Sequence, residues 1–199
     1  MVNYVYQPLT LGDQLAIYLK APLQPTHHVI KDHVVIIYHQ DQLIGMNIQQ
    51  PLNLLPNLPK GIIRQFSNQD IEILNQHLLK NGISFVLPGF HSGFTVGAIT
   101  QLEAHPDADN LWICQVNLGT TSIQVVTNST KVKANDKVVV ALPGAMLLDG
   151  QMIEEGLMMK EKSQGMFCSQ KTLGISPETQ VGVYVLPKET PIGKDFYGQ

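Results

Sequence analysis

A histidine and two aspartates lie within five residues of one another in the segment "HPDADNL", which runs from His105 to Leu111. Side chains of these types bind divalent metals, and a pair of carboxylates can also perform general acid–base catalysis. A metal site needs three or more organised ligands, and no second histidine lies nearby in the sequence. A catalytic pair needs one buried carboxylate, whereas Asp107 and Asp109 lie in a proline-containing, solvated loop. We therefore interpret the segment as a turn in which the aspartates bind nearby backbone N–H groups.

Other enzymatic or metal-binding arrangements are also weak. An EF-hand calcium loop is excluded, because Trp112 stands where that loop needs a glycine and Leu118 where it needs a glutamate. A hydrolase or metalloenzyme would have to use four histidines of the first half, His27, His28, His33 and His39. These histidines have no carboxylate-rich partner set, and no arrangement of nucleophile, base and orienting group is visible. We expect no metal, no cofactor and no enzymatic activity.

Composition limits the class of protein. The chain has 13 Lys and Arg against 16 Asp and Glu, so its formal charge of −3 argues against coating nucleic acid by bulk electrostatics. No apolar run approaches the roughly 20 residues that a membrane span needs, and no signal peptide opens the chain. The two cysteines, Cys114 and Cys168, show no disulfide or zinc spacing. We expect a cytoplasmic protein with reduced cysteines, which does not contact a membrane.

The first half reads as an α+β domain over residues 1–88. Segments rich in β-branched and aromatic residues predict strands, with a hairpin turn at Gln40 and Asp41, in "VNYVY", "DQLAIYL" and "HVVIIYHQDQLIGMNI". One helix follows, because Ser67 and Asp70 form a capping-box pattern and apolar residues recur at helical spacing. Gly82 supplies a left-handed stop. The segment "LPGFHSG" places a linker at 89–93.

The second half, residues 94–199, reads as all-β. Short strands alternate with turn residues and no convincing helix interrupts them, in "FTVGAITQLEA", "LWICQVNLG", "SIQVVTNST", "DKVVVALPGAML" and "GMFCSQ". Five strands in about 100 residues favour a small closed barrel, since closure removes exposed sheet edges. The predicted architecture is therefore two domains, an α+β domain followed by an all-β barrel.

The second half also resembles a known family, the tRNA-binding OB-fold domain of the bacterial phenylalanyl-tRNA synthetase β chain and its EMAP-II-like relatives. The matching stretches are "VGAITQLEAHPDADNLWICQVNLG", "IQVVTNSTKVKANDKVVVALPGAML", "SQGMFCSQKTLGIS" and "VYVLPKETPIGKDF". With the first half included, the layout is similar to the small bacterial YtpR-type proteins. The resemblance implies an OB-fold barrel, a loop at "HPDADNL" between its first two strands, and binding of tRNA or another structured RNA. It leaves open whether the chain forms a homodimer.

OB barrels bind oligonucleotides on strands two and three and on the adjoining loops. The resemblance includes a Ser-x-Gly-Met signature, in which Ser163 offers a hydrogen bond, Gly165 permits close backbone approach and Met166 offers a soft stacking surface. Strand alternation places Met166 and Phe167 on opposite faces without choosing between them, and the resemblance implies that Phe167 points inward. The candidate RNA-binding residues are Trp112, Asn128, Ser129, Lys131, Lys160, Lys162, Ser163, Gly165, Met166 and Ser169.

Each of these assignments has an alternative in which the residue serves only the structure of the protein. Trp112 can stack on a base or cover the barrel, Asn128 can serve a turn, and the lysines can belong to a mixed-charge surface. Relatives read Lys-x-Arg-Gly ahead of the signature, whereas this chain has Leu157, Met159 and Lys160 at the aligned positions. The alternative to non-catalytic RNA binding is therefore a protein-interaction module that keeps the OB fold without the RNA task.

Overall fold

The computed structural model describes residues 1–20, 23–175 and 182–198. The chain divides into two compact units, Met1–Ser92 and Gly93–Gln199. Within the described residues, no helix is long and apolar enough to cross a membrane.

The first unit is a six-stranded antiparallel sheet with one long helix. Its strands are β1 (Asn3–Tyr6), β2 (Gln14–Tyr18), β3 (His27–Lys31), β4 (Val34–His39), β5 (Gln42–Gln49) and β6 (Gly61–Ile62). Their order across the sheet is β3-β4-β5-β2-β1-β6. The helical segments are α1 (Pro8–Leu11), a 3-10 turn (Pro51–Asn53) and α2 (Asn68–Lys80).

Helix α2 begins and ends where local chemistry places its boundaries. The Ser67 hydroxyl accepts from the Asp70 N–H at 3.1 Å, and the Asp70 carboxylate accepts from the Ser67 N–H at 2.8 Å. The capping box predicted from the sequence is confirmed, as is the hairpin turn between β4 and β5. One face of α2 is apolar and packs into the core of the unit through Ile71, Leu74 and Leu78.

The second unit is mostly β. Its strands are β7 (Phe94–Ala104), β8 (Trp112–Asn117), β9 (Ser122–Thr127), β10 (Lys137–Ala141), β11 (Gly156–Met158), β12 (Glu161–Ser163), β13 (Met166–Phe167) and β14 (Val185–Leu186). The main sheet has the order β13-β10-β7-β8-β9, with β14 also paired to β10, and β11 and β12 form a separate hairpin. A one-turn helix, α3 (Gln170–Leu173), interrupts the strands, so the expectation of an unbroken all-β half is wrong at this point.

Apolar clusters lie on both faces of the main sheet. Alternate residues of β10 face opposite ways, so Val138 and Val140 enter an inner cluster while Val139 and Ala141 enter an outer one. The inner cluster also holds Ile99, Cys114, Val116, Leu118, Val125, Val132 and Phe167. The outer cluster also holds Phe94, Val96, Ala145, Ile153, Cys168, Leu173 and Leu186. The predicted inward orientation of Phe167 is confirmed.

The sheet does not close into the predicted barrel. Strands β9 and β13 are the two edge strands of the sheet, and no continuous backbone ladder joins them among the described residues. Side-chain hydrogen bonds contribute to the contact between them. The Gln164 N–H donates to the Gln124 carbonyl at 2.8 Å, the only backbone bond of this contact among the described residues. The Val126 N–H donates instead to the Ser163 hydroxyl at 3.1 Å. A side chain thus occupies a place that a backbone carbonyl would take in a continuous ladder.

Candidate nucleic-acid interface

The loop from His105 to Leu111 joins β7 to β8 and is held in place by the His105 ring. His105 is buried, and its Nδ1 accepts a hydrogen bond from the Asp107 N–H at 3.0 Å. Since Nδ1 accepts, the ring proton lies on Nε2, which donates to the Met158 carbonyl at 3.2 Å. The loop assignment is therefore confirmed, but its backbone contact comes from the histidine. The Asp107 carboxylate, expected to bind backbone, instead binds Lys160.

The hairpin of β11 and β12 projects side chains that solvent can reach. Its two-residue turn consists of Met159 and Lys160, whose φ angles are +48° and +76°. Leu157, Met158 and Met159 form an apolar tip, with 74%, 40% and 57% of their surface exposed. Through Met158 and His105, the hairpin and the 105–111 loop lie side by side.

The base of this hairpin is fixed to β9 by Gln124. The Gln124 side chain donates to the Lys162 carbonyl at 2.9 Å and to the Glu161 carboxylate at 3.3 Å. Its Oε1 accepts from the Gln115 amide at 3.0 Å, which extends the network to β8. The hairpin is thus held from both sides, by Gln124 at its base and by His105 near its turn.

Carboxylates neutralise the two lysines of the hairpin. Lys160 Nζ lies 2.9 Å from Asp107 Oδ2, and Lys162 Nζ lies 2.8 Å from Glu155 Oε1. The hydrogen bond from Lys162 is the main cause that lowers the pKa of Glu155. Both pairs are exposed, and such pairs contribute at most about 1 kcal/mol to stability. A phosphate arriving at either lysine would therefore compete with a weakly held carboxylate.

The end of β9 lies next to the start of β8. Trp112 pairs with Thr127 across the two strands, and its half-buried ring packs against the inner cluster. Of the two roles left open for Trp112, covering the barrel interior is the one with a contact in this structure. Beyond β9, Asn128 and Lys131 are exposed, and the Ser129 hydroxyl accepts from the Lys131 N–H at 3.4 Å. Among the described residues Lys131 makes no ion pair.

The first part of the signature, Ser163 and Gly165, makes contacts within the chain. Ser163 is buried, and its hydroxyl accepts from the Val126 N–H and donates to the Gly165 carbonyl at 3.1 Å. A Cβ on Gly165 would lie 2.8 Å from the Ala141 carbonyl oxygen. Gly165 thus approaches β10 closely, and its approach to RNA stays a prediction. The Ser163 hydroxyl makes two internal hydrogen bonds, and its bond to RNA also stays a prediction.

Met166 and Ser169 are also engaged inside the unit. Met166 is half-buried, faces away from Phe167 as expected and packs against the outer cluster, so only part of its side chain is open to solvent. Ser169 caps α3, its hydroxyl accepting from the Thr172 N–H at 3.1 Å. We infer that the segment Ser163–Met166, here called the signature segment, is the platform that joins the exposed hairpin to the main sheet, whereas Ser169 serves α3.

Comparison with known proteins decides the family. Residues 94–195 match the family model described as "Putative tRNA binding domain". The "Putative tRNA-binding protein YtpR" of Bacillus subtilis is 30% identical over 203 residues, which covers 98% of this chain and 99% of that protein. The chain belongs to this tRNA-binding family. The resemblance seen in the sequence is confirmed.

Other relatives match only the second unit. The phenylalanine–tRNA ligase beta subunit of Clostridium tetani is 46% identical over 102 residues, which is 50% of this chain and 13% of that subunit. Among solved structures, the crystal structure of the C-terminal domain of Plasmodium vivax p43 aligns with this chain at 22% identity. The alignment covers 50% of this chain and 56% of the p43 chain. With a TM-score of 0.38, that structural likeness carries no argument.

The site thus brings together some predicted residues and adds others. Lys160 and Lys162 share the hairpin, while Trp112, Asn128, Ser129 and Lys131 lie on β8 or follow β9. Sequence reasoning missed the roles of His105, Gln124 and Glu155 and the exposure of the apolar tip. One signal was present for the tip, because three consecutive apolar residues in an alternating strand cannot all face a core.

The histidines considered from the sequence belong to the first unit, and the two cysteines belong to the second. His27 stacks on Tyr38 with ring centroids 4.9 Å apart, and the His39 Nδ1 lies 2.7 Å from the Gln24 carbonyl oxygen. The described residues hold no group of three or more His, Cys, Asp or Glu that could bind a metal. Cys114 and Cys168 are both buried, and burial raises the pKa of the Cys114 thiol to about 11.

Proposed function

We propose that the second unit binds tRNA or another structured RNA without catalysing a reaction, as an OB-type domain in a two-domain chain. The observation that carries the proposal is the match of residues 94–195 to the tRNA-binding family, together with a relative similar along nearly the whole chain. The β8, β9 and hairpin surface supplies the geometry. Its loops and strand ends correspond to those that oligonucleotides use on OB folds.

The proposed interface combines cations, polar groups and apolar side chains. Lys131, Lys160 and Lys162 would contact phosphates, and Asn128 and Ser129 would bond to sugars or base edges. Because Asp107 and Glu155 already neutralise two of the lysines, few phosphates would be bound with full strength. We therefore expect an affinity with a shallow dependence on salt, each neutralised phosphate contributing roughly 0.7 to 0.9 to the slope.

A second candidate function is a protein-interaction module. The paired lysines and the exposed apolar tip are the observations that favour it, because protein interfaces favour apolar side chains over free charges. The two functions differ in a measurable way, since RNA binding releases condensed counterions and its affinity therefore falls as the salt concentration rises.

The test is a titration of the whole protein with total tRNA and with poly-U at several salt concentrations. We expect tRNA to bind more tightly than poly-U, and the logarithm of its affinity to fall linearly with the logarithm of the salt concentration. A Lys131→Ala variant should reduce the slope by roughly one phosphate contact, and Lys133→Ala, another exposed lysine, is its matched control. Absence of salt-dependent tRNA binding by the parent protein would reject the proposal.

A further inference from the structure

The apolar tip of the hairpin exposes side chains that a folded protein ordinarily covers. Leu157, Met158 and Met159 all lie outside the two apolar clusters of their unit. The core of the unit therefore does not explain why these positions hold apolar residues.

The backbone conformation of the turn also indicates that these residues have a role outside the core. A two-residue turn with positive φ at both positions is normally occupied by Asn and Gly, which tolerate that conformation. Here Met159 and Lys160 occupy it, at φ angles of +48° and +76°. Left-handed conformations destabilise such residues by roughly 1 kcal/mol or more, and uncompensated strain of this kind is concentrated at functional positions.

The tip is held on a fixed base. His105 binds the Met158 carbonyl, Gln124 binds the Lys162 carbonyl, and Ser163 joins the end of β12 to β9. A backbone that is already held in place loses less conformational entropy when a ligand packs against its side chains than a flexible backbone does. The tip is thus suited to contact a partner.

The size and the charge of the surroundings select the kind of partner. A stable protein interface buries about 800 Å² on each partner and uses about 20 to 30 residues, far more than three side chains at a hairpin tip. A single nucleobase is flat and is covered by one or two side chains. Lys162 pairs with Leu157 across the hairpin and Lys160 follows Met159, so a phosphate beside the base would meet a cation once it displaced the weakly held carboxylate.

We propose that the apolar tip, Leu157 to Met159, is a stacking site for an unpaired nucleobase of structured RNA. The proposal rests on the proposed function and deepens it, because it names the part of the RNA that this surface selects. Duplex RNA keeps its bases stacked inside the helix and would not engage the tip. Single-stranded loops and ends of a folded RNA would.

The test compares a tip variant with a matched control in the whole protein. The variant carries Leu157→Gln and Met159→Gln, and the control is Leu148→Gln, an exposed leucine outside the hairpin. We expect the tip variant to bind tRNA about tenfold more weakly with an unchanged salt slope, because stacking releases no counterions. The control should match the parent, and a fully paired RNA should bind parent and variant alike.

A second variant separates function from folding. Met159→Asn places a residue that tolerates positive φ in the turn, so the urea midpoint should rise while tRNA affinity falls. Such opposite changes cannot come from loss of structure. If the parent binds tRNA and both tip variants bind it equally well, the stacking proposal is wrong although the proposed function stands. If the parent binds no tRNA, both fail.

A protein contact at the tip would give another result. If the double variant loses self-association in sedimentation experiments while it keeps the tRNA affinity of the parent, the tip is a contact between protein molecules, and the stacking proposal is overturned.

Discussion

The signature segment and the apolar tip lie in the same short stretch of chain, yet they use their residues in opposite ways. In the signature segment, Ser163 makes two internal hydrogen bonds and Gly165 packs against Ala141. In the tip, Leu157 and Met159 are mostly exposed, and Met159 adopts a left-handed backbone. The residues of the signature segment are in contact with the rest of the unit, whereas the side chains of the tip are mostly exposed to solvent.

The difference distinguishes residues that support a binding surface from within the fold from residues that contact the ligand. A family signature does not distinguish the two roles, because loss of either abolishes the same function. The contacts do distinguish them: substitutions in the signature segment should act first on stability, and substitutions in the tip should act first on binding. The following predictions test that division.

The largest effect is expected for Gly165→Ala. The added Cβ would lie 2.8 Å from the Ala141 carbonyl oxygen and 3.0 Å from a Val140 methyl group, and the backbone oxygen cannot move away easily. We expect the free energy of unfolding in urea to fall by about 3 kcal/mol, the upper part of the usual range for overpacking. Gly156→Ala is the control, since nothing lies within 4 Å of its Cβ. Equal stability of the two variants would contradict the structural role of Gly165.

A smaller loss of stability is expected for Ser163→Ala. Removal of the hydroxyl leaves the Val126 N–H without its partner, in a buried position. We expect the free energy of unfolding to fall by about 1.5 kcal/mol. Ser122→Ala, on the exposed start of β9, should change it by less than about 0.5 kcal/mol. If Ser163→Ala keeps the stability of the parent but loses tRNA affinity, Ser163 belongs to the contact surface and not to the platform.

The smallest effect on stability, with a gain in binding, is expected when the carboxylates beside the lysines are removed. Asp107→Asn and Glu155→Gln free Lys160 and Lys162, and each should steepen the salt dependence of tRNA affinity by roughly 0.7 to 0.9. The unfolding free energy should change by less than about 1 kcal/mol, because both ion pairs are exposed.

The controls for this prediction are neighbouring acidic residues. Asp109→Asn and Glu154→Gln remove the same charge from exposed positions that make no ion pair among the described residues. If these variants steepen the slope as much as the first two, the effect comes from net charge, and the ion pairs do not regulate the lysines.

Features with a local cause could be predicted from the sequence. The capping box of α2 needs only Ser67 and Asp70, and the turn between β4 and β5 needs only its two central residues, so both were found. Strand β3 was not found, because all its residues are exposed and it therefore lacks the alternation that reports a buried face. Helix α3 is a single turn, too short for a periodic signal.

Features with a distant cause could not be predicted. Lys160 meets Asp107, and His105 meets Met158, across 53 residues of sequence. Nothing in the local pattern shows that Lys160 is already paired. The open sheet edge has the same origin, since Ser163 replaces a backbone acceptor through a contact that only the folded chain creates.

The rates of methionine oxidation test most directly whether RNA contacts the tip and not the platform. Peroxide converts accessible methionines to sulfoxides, which mass spectrometry locates along the chain. With saturating tRNA, we predict slower oxidation of Met158 and Met159 and an unchanged rate at the half-buried Met166. The protection should disappear at a salt concentration that dissociates the complex. Protection of Met166 alone, or of none of the three while tRNA is bound, would contradict the account.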